Sequence, residues 1–172
     1  LTAGREALEE TFKHTDKLTM LDVSELKPDD VVVNVSTLGA PSAKDVHLTA
    51  EHWMTALKNF ELNYGKKIAG FTSCENGAIS TANGWVISAL TGIPLVDAPS
   101  NGRAHPTGTM GSIGLNLLPD YQTTQSACGG VGARYVETVA KGALNSTSHV
   151  IRQSAVADGG MVGVLRNPVT AE

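Results

Sequence analysis

Cysteine occurs only twice, at Cys74 and Cys128, far apart and without CxxC spacing. That excludes a disulfide framework and a zinc site built on cysteine pairs, and it predicts a reducing, cytoplasmic setting. Aromatic residues are scarce, at 5%, and none interleaves with a basic cluster. With a formal net charge of −4 and scattered Lys and Arg, the chain has no stripe to follow a phosphate backbone, so nucleic acid is not an expected partner. Long apolar runs are absent too. The longest charge-free segment, 76–96, contains Asn76, Ser80, Thr81, Asn83, Ser88 and Thr91, too many polar groups for a membrane span, and reads as a buried helix followed by a strand. No membrane partner is expected. No secretory signal opens the chain, and Leu1, not being a natural start, predicts residues upstream. GxGxxG after a strand, a phosphate loop and HExxH are all missing, so neither dinucleotide nor zinc-protease chemistry is indicated.

What the chain does have is 18 glycines and a repeated exchange of two periodicities. Residues 5–14 carry Ala7, Leu8 and Phe12 at helical spacing, and 17–21 reads as a strand. The β-branched run 31–36 fits a strand covered on both faces. Trp53, Ala56, Leu57 and Phe60 predict a helix over 49–64, with Thr49 as N-cap and Gly65 as the residue that ends it. A strand over 67–72, a helix over 77–91 and a strand over 94–97 follow. That helix has a stripe of small residues, Gly77, Ser80, Gly84 and Ser88, suited to tight packing. Further on, 122–127 reads as a strand, 133–144 as a helix, and 150–157 with 161–165 as a hairpin across Asp158, Gly159 and Gly160. The fold expected is a single layered α/β domain over 1–172, with a mostly parallel sheet, flanking helices and an antiparallel hairpin near the C-terminus.

Right-handed crossovers make the strands at 67–72 and 94–97 parallel, so the loops after them leave the same edge of the sheet, where ligands of such folds bind. Cys74, Glu75 and Asn76 therefore belong near Asp97, Asn101, Gly102, Arg103 and His105. A thiol before a helix start, as Cys74 reads, suits a nucleophile, although a lone cysteine is more often inert core. Glu75 is either a cap or a group that moves protons, and Asp97 ends its strand either as an Asx turn or as a catalytic acid. Asn76 reads as an N-cap. The Asn101-Gly102-Arg103 turn projects a guanidinium that can clamp a carboxylate or carbonyl, or else pair with Asp97 or Glu75. His105 precedes Pro106 and projects from a loop, open to acid–base work. Cys74, Asp97 and His105 are competent zinc ligands, but no motif supports such a site and no metal is assigned. His47 and His52 read as surface residues.

STLGAPSA at 36–43, ENGAISTANGWVISALTGIPLVDAPSNGRAHP at 75–106 and the later VIRQSAVADGG resemble the N-terminal domain of the S-methyl-thiohydantoin desulfurase-like family, associated with hydantoinase and oxoprolinase proteins. Glu75, Asn76, Asp97, Gly102 and Arg103 fit that family's pattern. His105 stands where it has an aromatic residue, and Cys74 where its Gly-rich turn has no cysteine. The resemblance implies an enzyme domain acting on a small cyclic ureide or thioureide, as desulfurase or hydrolase, within a longer two-domain protein or as one subunit of a split one. In that reading Asn101 and Arg103 hold the ring, Gly102 and Asn76 complete the binding set with the helix start near Asn76 favouring negative charge on oxygen or sulfur, and Glu75, Asp97, Cys74 and His105 are the candidate catalytic groups. Its rival is a non-catalytic ligand-binding or assembly subunit of a hydantoinase/oxoprolinase-like complex. Either reading expects a small-molecule ligand and a homo-oligomer or partner subunit; neither names a cofactor.

Overall fold

A computed structural model describes residues 2–40, 42–98, 100–102, 109 and 111–171. In chain order the helices are α1 (Thr2–Thr11), α2 (Ala50–Tyr64), α3 (Ala78–Thr91) and α4 (Leu144–Ala157). The strands are β1 (Met20–Leu21), β2 (Val31–Gly39), β3 (Gly70–Ser73), β4 (Leu95–Val96), β5 (Gln122–Gly129), β6 (Val136–Ala143) and β7 (Met161–Thr170).

All seven strands form one sheet, ordered β1-β4-β3-β2-β7-β5-β6. The first half follows expectation, with β1, β4, β3 and β2 parallel to one another. The second half does not, because β7 runs antiparallel to β2 and to β5, and β5 antiparallel to β6. The sheet is therefore mixed, not mostly parallel. An antiparallel hairpin does stand in the C-terminal third, but its strands are β5 and β6. Residues expected to be helix over 133–144 are mostly β6, and 150–157, expected to be strand, belong to α4. Both readings failed on apolar residues whose short-range spacing suits either state; tertiary partners decided between them. Val136 and Ala140 pack on α4 from one face of β6, while Ile151 and Ala155 turn inward from α4 at helical spacing.

Two cores lie on opposite faces of the sheet. On one, Val33, Val35, Phe71, Leu95 and Leu165 meet Trp53, Leu57 and Phe60 of α2 and Ile87 of α3. Thr49 caps α2 as expected, and Gly65 and Gly92 end α2 and α3 in the left-handed conformation. Gly84 seats α3 on the sheet: a Cβ there would lie 3.3 Å from Leu95 Cδ2. The small stripe is a packing device at that point. The second core, Ala127, Val162 and Val164, is covered by Ile151 and Ala155.

His52 is buried, contrary to the surface reading. Its Nδ1 accepts from the Thr49 backbone N–H at 3.0 Å, which leaves Nε2–H to donate to the Gly130 carbonyl at 2.9 Å. The ring thus ties the start of α2 to the loop after β5, and of these two histidines it is His47 that is exposed.

Candidate functional site

Alternation along β2 puts Val33 and Val35 under α2 and α3 and turns Asn34 to the opposite face. Thr72 of β3 and Arg166 of β7 are its direct cross-strand partners, so three polar side chains from adjacent strands share one patch. All three are buried. Arg166 Nε donates to Asn34 Oδ1 at 3.3 Å, and Asn34 Nδ2 donates to Ser100 Oγ at 2.9 Å. Ser100 Oγ is also 3.2 Å from Thr72 Oγ1.

The remaining arm of Arg166 reaches the residue after β3. Its Nη2 donates to Cys74 Sγ at 3.0 Å, and Asn101 Nδ2 donates to the same sulfur at 3.2 Å. Cys74 is 6% exposed and Arg166 5%. Among the described residues no carboxylate pairs with Arg166. Buried donors need acceptors, and those that Arg166 meets are the Asn34 amide oxygen and the Cys74 sulfur.

Backbone pairing locks this arrangement. Ser100 N–H donates to the Ser73 carbonyl at 3.0 Å, Asn101 N–H to Cys74 at 2.7 Å, and Asn76 N–H to Gly102 at 3.4 Å. Glu75 and Gly102 form a parallel bridge. The loops after β3 and β4 thus run side by side, as the parallel crossover predicted. Glu75 is half-buried, and its Oε1 accepts from Ser80 Oγ at 2.8 Å.

Two expectations are corrected. Asn76 is exposed and is not the cap of α3; that position is Gly77. Cys74 lies three residues before that cap, so the charge beside its sulfur is the Arg166 guanidinium and not a helix end. Asp97 is exposed, its backbone N–H pairs with Leu21, and its carboxylate makes no hydrogen bond among the described residues. Arg103 and His105 lie outside the described residues. Among the described residues no three His, Cys, Asp or Glu side chains cluster as metal ligands.

Sequence reasoning missed Asn34, Thr72, Ser100 and Arg166. The available signal was a polar residue inside an apolar strand, Asn34 in VVVNVS and Arg166 in MVGVLRNP. Beside the network, Asn167 holds a positive φ of 53° and accepts from Thr123 Oγ1 and Gln125 Nε2, at 3.0 and 3.2 Å. Gln125 Oε1 is buried without a partner among the described residues. On the same sheet face a cleft of about 540 Å³ runs between Val32, Thr72 and Val96 on one wall and Ile113, Leu115, Leu118 and Tyr121 on the other. Burial raises the Tyr121 hydroxyl above the usual phenol range, and that hydroxyl donates to the Pro168 carbonyl at 2.8 Å.

Comparison with known proteins bears on this geometry. The family described as S-Me-THD-like, N-terminal domain, matches residues 2–127. The chain belongs to that family. The match takes in β2, β3, Cys74 and the paired loops of this S-Me-THD-like domain, but not Arg166 or the strand that carries it. No curated protein matches the chain. A crystal structure of a protein from Chromobacterium violaceum is similar, with a TM-score of 0.62 at 22% identity, over 94% of this chain and 48% of that one. At that identity the likeness shows the fold alone. The chain spans about half the length of that protein.

Proposed function

We propose that this S-Me-THD-like domain is the part of a cytoplasmic enzyme that attacks a small cyclic thioureide, a thiohydantoin-like ring, with Cys74 as the nucleophile. The observation that carries this reading is the pair of donors, Arg166 and Asn101, converging on the Cys74 sulfur. A guanidinium and an amide N–H complement negative charge on sulfur, whether it stands on the free thiolate or returns as the sulfur leaves the ring. Because cysteine at this position departs from the family pattern, the reading rests on the geometry of this chain.

With an S-methylated ring the steps balance as follows. The Cys74 thiolate forms a bond to the ring carbon bearing the methylthio group, and the carbon–SCH3 bond breaks. Methanethiolate leaves and takes a proton, for which Glu75, one residue on, is the acid. Water then adds to the same carbon, gives up a proton to Glu75 and expels the Cys74 sulfur. The net change is ring–SCH3 plus water to ring carbonyl plus methanethiol. Asn101 and Arg103 are the candidates for holding the ring, and Asp97 and His105 remain candidate catalytic groups.

The test is release of methanethiol from an S-methyl-thiohydantoin. Cys74→Ser should abolish turnover, and Arg166→Met should lower it by about 10²-fold or more while circular dichroism stays native. Full turnover by Cys74→Ser would refute the assignment. A second reading, a non-catalytic binding or assembly unit, draws support from the burial of Cys74, whose 6% exposure leaves its sulfur little open surface. Ring binding with no turnover by the native chain would select it.

A further inference from the structure

The sheet ends in two unlike edges. β1 is two residues long, whereas β6 runs for eight, pairs in unbroken register with β5, and carries no proline or bulge. Among the described residues no strand pairs with its outer side. Such an edge presents a row of unpaired N–H and C=O groups, which proteins ordinarily blunt or use.

The β6 sequence, VETVAKGA, is self-complementary about its middle. Glu137, Val139 and Lys141 occupy one face, all exposed, while Val136, Thr138 and Ala140 are half-buried on the other. Glu137 is held as an anion by the Tyr135 hydroxyl, which donates to Oε1 at 2.6 Å, and by Asn59 Nδ2, which donates to Oε2 at 2.6 Å. Lys141 has no ionic partner among the described residues. On one strand these two charges stand about 13 Å apart, too far to pair with each other.

We infer that β6 is a homodimer edge: a second copy of this chain adds its own β6 antiparallel across a two-fold axis at Val139. In that register Val139 faces its counterpart, Glu137 of each copy faces Lys141 of the other, and Thr138 faces Ala140. Two opposite-charge cross-strand pairs flank one apolar pair, the arrangement that favours antiparallel pairing, and the interface is isologous as closed two-fold symmetry requires. A one-residue slip would end the charge pairing and move Val139 off the axis. The contact makes one continuous fourteen-stranded sheet and leaves the Cys74 network untouched.

Sedimentation velocity across a concentration series tests this, and its outcome is independent of any assay of the Cys74 site. The native chain should dimerise. Lys141→Glu, which sets like charges opposite each other, should raise the dimer dissociation constant at least tenfold, and Glu137→Lys should do the same. The double variant E137K/K141E should restore dimerisation, since the reversed pairs are again opposite in sign. Val139→Cys should form an intermolecular disulfide on mild oxidation, because directly opposed strand residues lie within disulfide reach. A monomer at all concentrations, or a dimer indifferent to both charge reversals and without that cross-link, would overturn the proposal.

Discussion

At the scale of single residues the molecule departs from ordinary packing where polar groups are sunk into the sheet. Arg166 is costly by any burial argument, yet its Nε and Nη2 both meet acceptors, Asn34 Oδ1 and Cys74 Sγ. Tyr121 shows the same economy, an apolar ring on the cleft wall with its hydroxyl anchored to a carbonyl. Its acidity has a consequence for stability. The folded-state pKa is raised by burial, so the contribution of Tyr121 is fully present below the ordinary phenol pKa of about 10 and is lost as pH climbs beyond it. Urea unfolding at pH 8 and pH 11 should show a smaller alkaline loss in Tyr121→Phe than in the native chain. At pH 8 the same variant should be weaker by about 1 kcal/mol, the worth of the lost hydrogen bond.

Elements are held in place by close approaches that one added carbon would break. Trp53 of α2 lies against Gly163 of β7 so tightly that a Cβ there would fall 2.9 Å from the indole Cε3. Gly163→Ala should therefore cost about 1–3 kcal/mol in chemical denaturation, through displacement of α2 from the sheet. A mild or stabilising effect would show that the helix shifts freely. The first half of the chain was legible at this scale, because α2, α3 and β2 carry apolar residues at unambiguous spacing and the two helices end in glycine caps. Residues 133–157 were not, since a strand half-covered by a helix and the helix that covers it both show weak alternation in apolar content.

For the whole molecule the decisive fact is where β7 goes. The last strand in sequence is inserted at the middle of the sheet, between β2 and β5, so it joins the parallel half to the antiparallel half. The family match ends at residue 127, but the sheet that positions the matched residues is completed only by 161–170. Deleting everything after residue 160 should abolish cooperative thermal unfolding, because two buried strand edges and two cores would be exposed at once. A sharp transition retained by the truncated chain would mean that the two halves fold independently.

The sequence by itself determined the alternation of strand and helix over residues 20–97, the family, and the meeting of the loops after β3 and β4, since those follow from local periodicity and from the handedness of a crossover. Tertiary structure alone decided the mixed sheet and the identity of the groups on the Cys74 sulfur. Arg166 is separated from Asn34 by 132 positions and from Cys74 by 92. No local pattern encodes which buried polar residues will share a face; that is fixed only when strand order and register bring them side by side.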